Sequence, residues 1–344
     1  MNKWQLHWYK TSLTGLMRLL LPFSWLFGLV VYIRKQLYRR GLLTSYGVSV
    51  PVIVVGNITV GGTGKTPFVI WLADYLRAKG YRPGIVSRGY GAEKQDQPYS
   101  VTPDSMVSEA GDEPLMLLKR TGCPVVTHPN RVKAAQALLA RFPACNIIIS
   151  DDGLQHYRLQ RQIEIAIVDG ARRYGNQHLL PSGPLREPVS RLQSVDFVVV
   201  KEGQPTDAYC FNLVPERLMA VIPNDRCATL ADFKNQTVHA VAGIGYPERF
   251  FSLLEAANMT VIRHAFADHH VFTRDDIHFE DLYPVLMTEK DAVKCAGFAD
   301  QRCWYLTVSA VPDQAFCTAL LSKLTSLEAH SENDFSKRAC GMHR

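Results

Sequence analysis

The stretch VPVIVVGNITVGGTGKTPFVIWLADYLRAKG, residues 50–80, constrains this chain more than any other. Its β-branched opening reads as a buried strand, its glycines as a sharp turn, and the run from Lys65 as a helix ended by Gly80. A strand, a glycine-rich turn, Lys-Thr and a helix, in that order, make a phosphate cradle. Glycines let backbone N–H groups turn inward, and a helix N-terminus stands behind them. The usual spacing GxxxxGK[ST] would place its first glycine at Thr59; here the glycines move to Gly61 and Gly62. The loop Thr59, Val60, Gly61, Gly62, Thr63, Gly64, Lys65, Thr66 is therefore read as a nucleotide site. Lys65 is assigned to the β/γ-phosphates and the Thr66 hydroxyl to Mg²⁺. Pro67 suits a first helical turn, where its missing N–H is not needed.

From about Val50 to Val200, short strand-like runs alternate with helical ones, as in RPGIVSRG, DEPLMLLKRTG, CPVVTH, RVKAAQALLARF, NIIIS, IEIAIVDG and DFVVVK. Such alternation predicts βαβ units and a parallel sheet buried on both faces. A polar break near Gly203–Asp207 precedes a second, smaller alternation from about Val238, closed by a helix over Asp313–Leu327. The segment 171–191, rich in Gly, Pro and Arg, is too long for a plain connection and reads as functional. The fold class expected is α/β: a P-loop sheet domain over 48–203, a smaller α/β domain over 204–328, and a polar, disordered tail over 329–344.

Residues 1–47 form a segment of their own. The net charge of +6 hides an asymmetry: Lys3, Lys10, Arg18, Arg34, Lys35, Arg39 and Arg40 precede residue 51, with no Asp or Glu among them. A uniformly basic nucleic-acid surface is excluded, because the rest of the chain is nearly balanced. Within the segment, LLLPFSWLFGLVVYI (Leu19–Ile33) is too short to span a bilayer, where roughly 20 apolar residues are needed. Aromatics and flanking cations instead suit a helix lying in a membrane interface against anionic headgroups. A core helix capped by cations is the alternative, and Tyr-Arg-Arg is a poor signal-peptide cleavage site. The eight cysteines show no CxxC pair and no zinc spacing, which predicts free thiols.

Four further motifs carry chemistry. NIIISDDGLQH ends a buried strand in Asp151-Asp152, where an open α/β sheet binds its ligands, and places a carboxylate for Mg²⁺. Asp112 in GDEP precedes Glu113-Pro114 and reads from the residues alone as a helix N-cap. His269 and His270 in ADHHVFT would point to opposite faces of a strand and can serve one site only in a loop. MTEKDAVK ends a strand with Thr288, Lys290 and Asp291, either surface charge or a nucleotide contact.

Together, GNITVGGTGKTP, SRGYG, GDEP, HPNR, DDGLQH, LLPSGPLREP, ADHHVFT and TEKDAVK, in this order, resemble the tetraacyldisaccharide 4′-kinases of lipid A biosynthesis. Singly only the first is specific; the ordered set of motifs is. The resemblance implies an ATP- and Mg²⁺-dependent enzyme that phosphorylates the 4′-hydroxyl of a lipid disaccharide 1-phosphate. It further implies a peripheral position on the cytoplasmic face of the inner membrane, and two Rossmann-like domains with ATP between them. It requires no nucleic acid and no protein partner. Carried over by position, it makes Asp112 the catalytic base, His269 its partner, Lys65 a catalytic cation, and Asp151 and Asp152 the acidic pair near Mg²⁺. It associates Arg88, Gln155, His156 and Arg186 with substrate and Glu187 with the metal. Where family members often read Asn-Gly, this chain has Lys201-Glu202-Gly203. The rival reading is a membrane-docking P-loop ATPase switch, which leaves a base at Asp112 without purpose; a GTPase would need an NKxD element, which is not found.

Overall fold

The computed structural model describes residues 7–10, 13–93, 96–204, 206–222 and 226–340, with backbone alone for 330–340. Lys3 and the last residues of the polar tail lie outside the described residues. The strands are β1 (Val52–Gly56), β2 (Pro83–Ser87), β3 (Tyr99–Ser100), β4 (Val125–Thr127), β5 (Ile147–Asp151), β6 (Ile163–Asp169) and β7 (Phe197–Lys201). The chain continues through β8 (Cys210–Ala220), β9 (Cys227–Ala228), β10 (Thr237–Ala242), β11 (Thr260–Ala265), β12 (Val285–Thr288) and β13 (Cys303–Pro312). They form one 13-stranded sheet in the order β11-β10-β12-β13-β8-β7-β6-β1-β5-β2-β4-β3, with β9 beside β8. Pairing is parallel except for β13–β8, β3–β4 and β8–β9.

Covered faces explain the unbroken apolar strands. In β1, Ile53 and Val55 face one core with Phe68, Leu72 and Leu76 of the helix Lys65–Ala78, while Val52 and Val54 face another with Val132, Ala135 and Leu138. A parallel sheet with both faces buried needs this continuous run in place of alternation. Phe68 packs on Phe211 and Phe316 with ring centroids 5.2 and 5.6 Å apart, which joins β8 and the closing helix to the first core.

The sheet is continuous across the two halves: β8 runs parallel to β7 through Val200–Cys210 and Lys201–Phe211, and antiparallel to β13. The segment CFNLVPERLMA gave no strand expectation because Pro215, Glu216 and Arg217 interrupt its pattern. The register with β13 shifts between Leu306 and Val308, opposite Pro215, where a missing N–H is tolerated. The closing helix, Gln314–Cys340, buries Phe316, Leu320 and Leu324 in the core of the first half. The same helix runs on through residues 329–340, the described part of the polar tail.

The N-terminal segment folds as helices Gly15–Leu19 and Leu21–Arg39. Among the described residues, no helix is long and apolar enough to cross a membrane. Ser24 Oγ donates to Leu179 O at 2.7 Å, and a side chain at Gly28 would meet Leu179 Cδ1 at 2.8 Å. The small and polar interruptions of the apolar run thus mark the face docked on the protein. Phe23, Trp25, Leu26 and Leu29 are 62, 68, 60 and 53% exposed.

Candidate active site

β1, β5, β6 and β7 bring their C-terminal ends to one edge, the ligand-binding edge of an open parallel sheet. Gly64 takes φ 87° as the N-cap of the helix Lys65–Ala78, a conformation that favours glycine and turns the chain into the helix. The loop 171–191 is ordered against this turn: Val60 N donates to Pro184 O at 2.8 Å and Arg186 N to Ile58 O at 2.7 Å. Arg172 reaches the Gly62 carbonyl through Nη2. Lys65 Nζ donates to Asn57 Oδ1 at 3.2 Å and lies 3.5 Å from Asp152 Oδ1.

Asp151 and Asp152 have opposite environments. Ser87 Oγ donates to Asp151 Oδ2 at 3.0 Å, but Asp151 Oδ1 is buried without a hydrogen-bond partner among the described residues. Burial, with the Glu113 and Asp152 carboxylates, pushes the Asp151 carboxyl up to about 7. For Asp152 burial is outweighed by Lys65 and Arg186, which hold it below the usual carboxylate range; Arg186 Nη1 donates to it at 2.9 Å. Asp152 adopts φ 47°, uncommon for a non-glycine residue, so the turn is held by its surroundings. An orphaned carboxylate oxygen short of positive charge, next to Thr66 and a phosphate cradle, fits Mg²⁺. That ion is held by one or two carboxylates with phosphates and water, not by a protein cage.

Across a cleft of about 1010 Å³ from the cradle stands a second cluster, with Glu113, His269 and Lys290 on its wall. Gly111, not Asp112, is the N-cap of the helix Asp112–Thr121, so the cap reading of Asp112 is corrected. Asp112 is 3% exposed; its Oδ1 accepts Glu113 N–H at 2.8 Å and its Oδ2 pairs with His269 Nδ1 at 3.0 Å. Burial alone would raise its pKa, but the His269 hydrogen bond and the Lys290 charge outweigh it and hold Asp112 below its ordinary value. His269 and His270 lie in a turn after β11, with φ 61° at His269. They diverge: His270 Nε2 pairs with Asp276 Oδ2 at 3.2 Å.

The remaining expected residues divide. Arg88, Gln155, His156 and Arg186 line the cleft. His156 is kept neutral, its pKa pushed down to about 3 by burial and by Arg131 and Arg88. Glu187 has both carboxylate oxygens in use: Gln155 Nε2 donates to Oε2 at 2.8 Å, and Tyr157 OH donates to Oε1. Glu187 thus braces the 155–157 turn from the cleft wall, with a further lone pair left on each oxygen.

Sequence reasoning gave no role to Asn57, Ser87 and Arg131, although they lie in GNITVGGTGKTP, SRGYG and HPNR, and it missed Asp169. Arg131 is 2% exposed and donates to Asp151 O at 3.1 Å from beneath the acidic turn. Asp169 ends β6 as Asp151 ends β5, in the parallel phrases IVDG and ISDDG, and that repetition was the available signal. Lys201 Nζ lies 2.6 Å from Asp169 Oδ2, with Arg172 and Arg249 each at 3.3 Å. Burial works against its ionisation, but Lys201 and Arg172 outweigh it.

A profile of the family described as Tetraacyldisaccharide-1-P 4′-kinase matches residues 16–325. A tetraacyldisaccharide 4′-kinase from Methylobacillus flagellatus is 51% identical over 329 residues, 95% of this chain and 97% of that one. One from Nitrosococcus oceani is 50% identical over 306 residues, 89% of this chain and 90% of its own length. A solved structure, the "apo" form of LpxK from Aquifex aeolicus in complex with ATP, superposes with a TM-score of 0.73 at 28% identity, covering 90% of this chain and 99% of that one. With the family profile spanning most of the chain and half the residues shared with such relatives, the chain belongs to the tetraacyldisaccharide 4′-kinase family.

Proposed function

We propose that this kinase transfers the γ-phosphate of ATP to the 4′-hydroxyl of a tetraacyldisaccharide 1-phosphate, using the cleft between the cradle and the Asp112–His269 pair. The observation that carries the assignment is that pair, Asp112 Oδ2 to His269 Nδ1 at 3.0 Å, built from the two halves of the chain and facing a P-loop lysine across the cleft. A nucleotide switch has no use for it. Phosphoryl transfer asks mainly for positioning and charge neutralisation. Loop amides and Lys65 hold the β/γ-phosphates, and Arg186 keeps Asp152 ionised beside them. Thr66, Asp151 and Asp152 are the residues that would hold Mg²⁺, which would offset the charge of the phosphates when bound. The sugar hydroxyl gives its proton to the Asp112–His269 pair as it attacks.

Mass spectrometry of ATP-Mg²⁺ incubated with purified disaccharide 1-phosphate in micelles tests the reading, with ATP hydrolysis followed in a lipid-free control. A bisphosphorylated lipid with little control hydrolysis is expected. Steady hydrolysis without lipid product would favour the switch.

The enzyme sits peripherally on the cytoplasmic face of the inner membrane, where ATP and an acylated substrate meet. Supporting this are the outward apolar residues of the helix Leu21–Arg39 and its cations Arg34, Lys35, Arg39 and Arg40. Burying one large apolar side chain is worth roughly 1.5–3 kcal/mol. The double variant Trp25→Glu, Leu29→Glu is expected to lower the fraction bound to anionic phospholipid vesicles at least about tenfold. Both residues are exposed, so the thermal midpoint should hold; unchanged vesicle binding would place the contact elsewhere.

A further inference from the structure

Lys290 is the second residue of the helix Glu289–Cys295 and its side chain is 14% exposed. Its Nζ stands 3.2 Å from Glu113 Oε1, 3.2 Å from Asp268 Oδ1, 3.3 Å from His269 Nε2 and 3.8 Å from Asp112 Oδ2. An ammonium has three donors and no acceptor. The ring nitrogen facing it must therefore be the bare one, and the imidazole proton sits on Nδ1, where it is donated to Asp112.

We propose that Lys290 is a positioning residue for phosphoryl transfer: it fixes His269 as the neutral, Nδ1-protonated tautomer and keeps Asp112 the anionic acceptor of the pair. This inference rests on the transfer reaction proposed above. The opposite tautomer would aim its N–H at the ammonium, so the ring keeps its Nδ1 proton turned to Asp112, while Asp268 Oδ1 lies 3.9 Å from Nε2 on the far side. The same lysine fastens the two halves together, since Asp112 and Glu113 begin a helix of the first half while Asp268, His269 and Lys290 belong to the second. Burial opposes a charged ammonium, but Glu113, Asp112 and Asp268 outweigh that and raise its pKa. The other groups around the pair are Lys294, on the same helix, and Tyr90, whose ring lies 4.6 Å from that of His269.

Removing a positive charge raises the proton affinity of the pair whichever atom takes the proton. For Lys290→Met, which keeps the length of the stem, kcat is expected to fall about ten- to hundredfold at pH 7, with KM for ATP within about twofold. The acid limb of the kcat/KM profile is expected to move up by about one pH unit. Lys290→Arg keeps the charge and should hold the limb near its original place. Nitrogen-15 spectra of histidine-labelled full-length protein give a readout independent of turnover: His269 protonated at Nδ1 in the parent, and a tautomer mixture or imidazolium in Lys290→Met. Lys290→Gln, a second neutral variant, guards against a folding defect, which would lower the melting point without moving limb or tautomer. An unmoved limb with an unchanged tautomer in both neutral variants overturns the proposal. A parent protein inactive on the lipid but with the Nδ1 tautomer would instead overturn the substrate assignment.

Discussion

Lys65→Met is expected to lower kcat/KM for phosphate transfer about 10³-fold and to weaken ATP-Mg²⁺ binding about tenfold. Removing one preorganised group aimed at developing charge costs about 10²–10³ in rate, and a full positive charge at the phosphates lies at or above the upper end. The structure shows why no neighbour substitutes. Arg172 is committed to the Gly62 carbonyl and to Asp169, and Arg186 to Asp152. Lys65 itself waits on Asn57 Oδ1 at 3.2 Å and on Asp152 Oδ1 at 3.5 Å, contacts that a phosphate oxygen can replace. The fold should tolerate the change, because Arg186 still pairs with Asp152 at 2.9 Å, so the melting point is expected to move by only a few degrees. Steady-state transfer and calorimetric titration of ATP-Mg²⁺ separate the two effects. Transfer within tenfold of the parent would mean that the glycine turn cradles something other than the reacting phosphates.

That lysine was legible because its chemistry and its secondary structure are written in consecutive residues. The strand Val52–Gly56, the glycine turn and the helix Lys65–Ala78 stand where the pattern places them. The acidic turn was legible for the same reason. Residues whose partners come from distant elements were not. Arg131 looks like any arginine in a helical run, yet it is buried beneath Asp151 through a contact 20 positions away. Asp112 read as a cap because Asp before Glu-Pro is the ordinary signal, and only the partner 157 positions along the chain separates that from chemistry.

The sheet repeats the lesson at larger scale. Buried parallel strands advertise themselves as unbroken apolar runs, whereas β8, half exposed and interrupted by Pro215, has no periodicity to find. For the N-terminal helix the interruptions were visible but not their meaning. Ser24 and Gly28 look like breaks in an apolar segment until Leu179 is found against both.

The substitution that best tests the site is Asp112→Asn. It is close to isosteric, and the side-chain oxygen can still accept Glu113 N–H, a bond that measures 2.8 Å in the parent. What changes is the side facing His269. An amide N–H would meet the imidazole Nδ1–H, donor against donor, so the ring must turn or take its other tautomer, where the Lys290 ammonium opposes it. The anion that accepts the hydroxyl proton is gone. A loss of about 10²–10⁴ in kcat is expected, the usual share of a general base. ATP-Mg²⁺ affinity should stay within about twofold, because the partners of Asp112 are Glu113, His269 and Lys290, across the cleft from the cradle. Helix stability should change by less than about 1 kcal/mol, the scale of a first-turn charge. Gly111 is the N-cap and Glu113 remains to face the dipole. Rapid-quench measurement of a single turnover isolates the chemical step from lipid release. A single-turnover rate near the parent's would return Asp112 to a structural role and leave the hydroxyl proton to water. A rate lowered more than 10²-fold with nucleotide binding intact puts the proton on the pair that only the folded chain assembles.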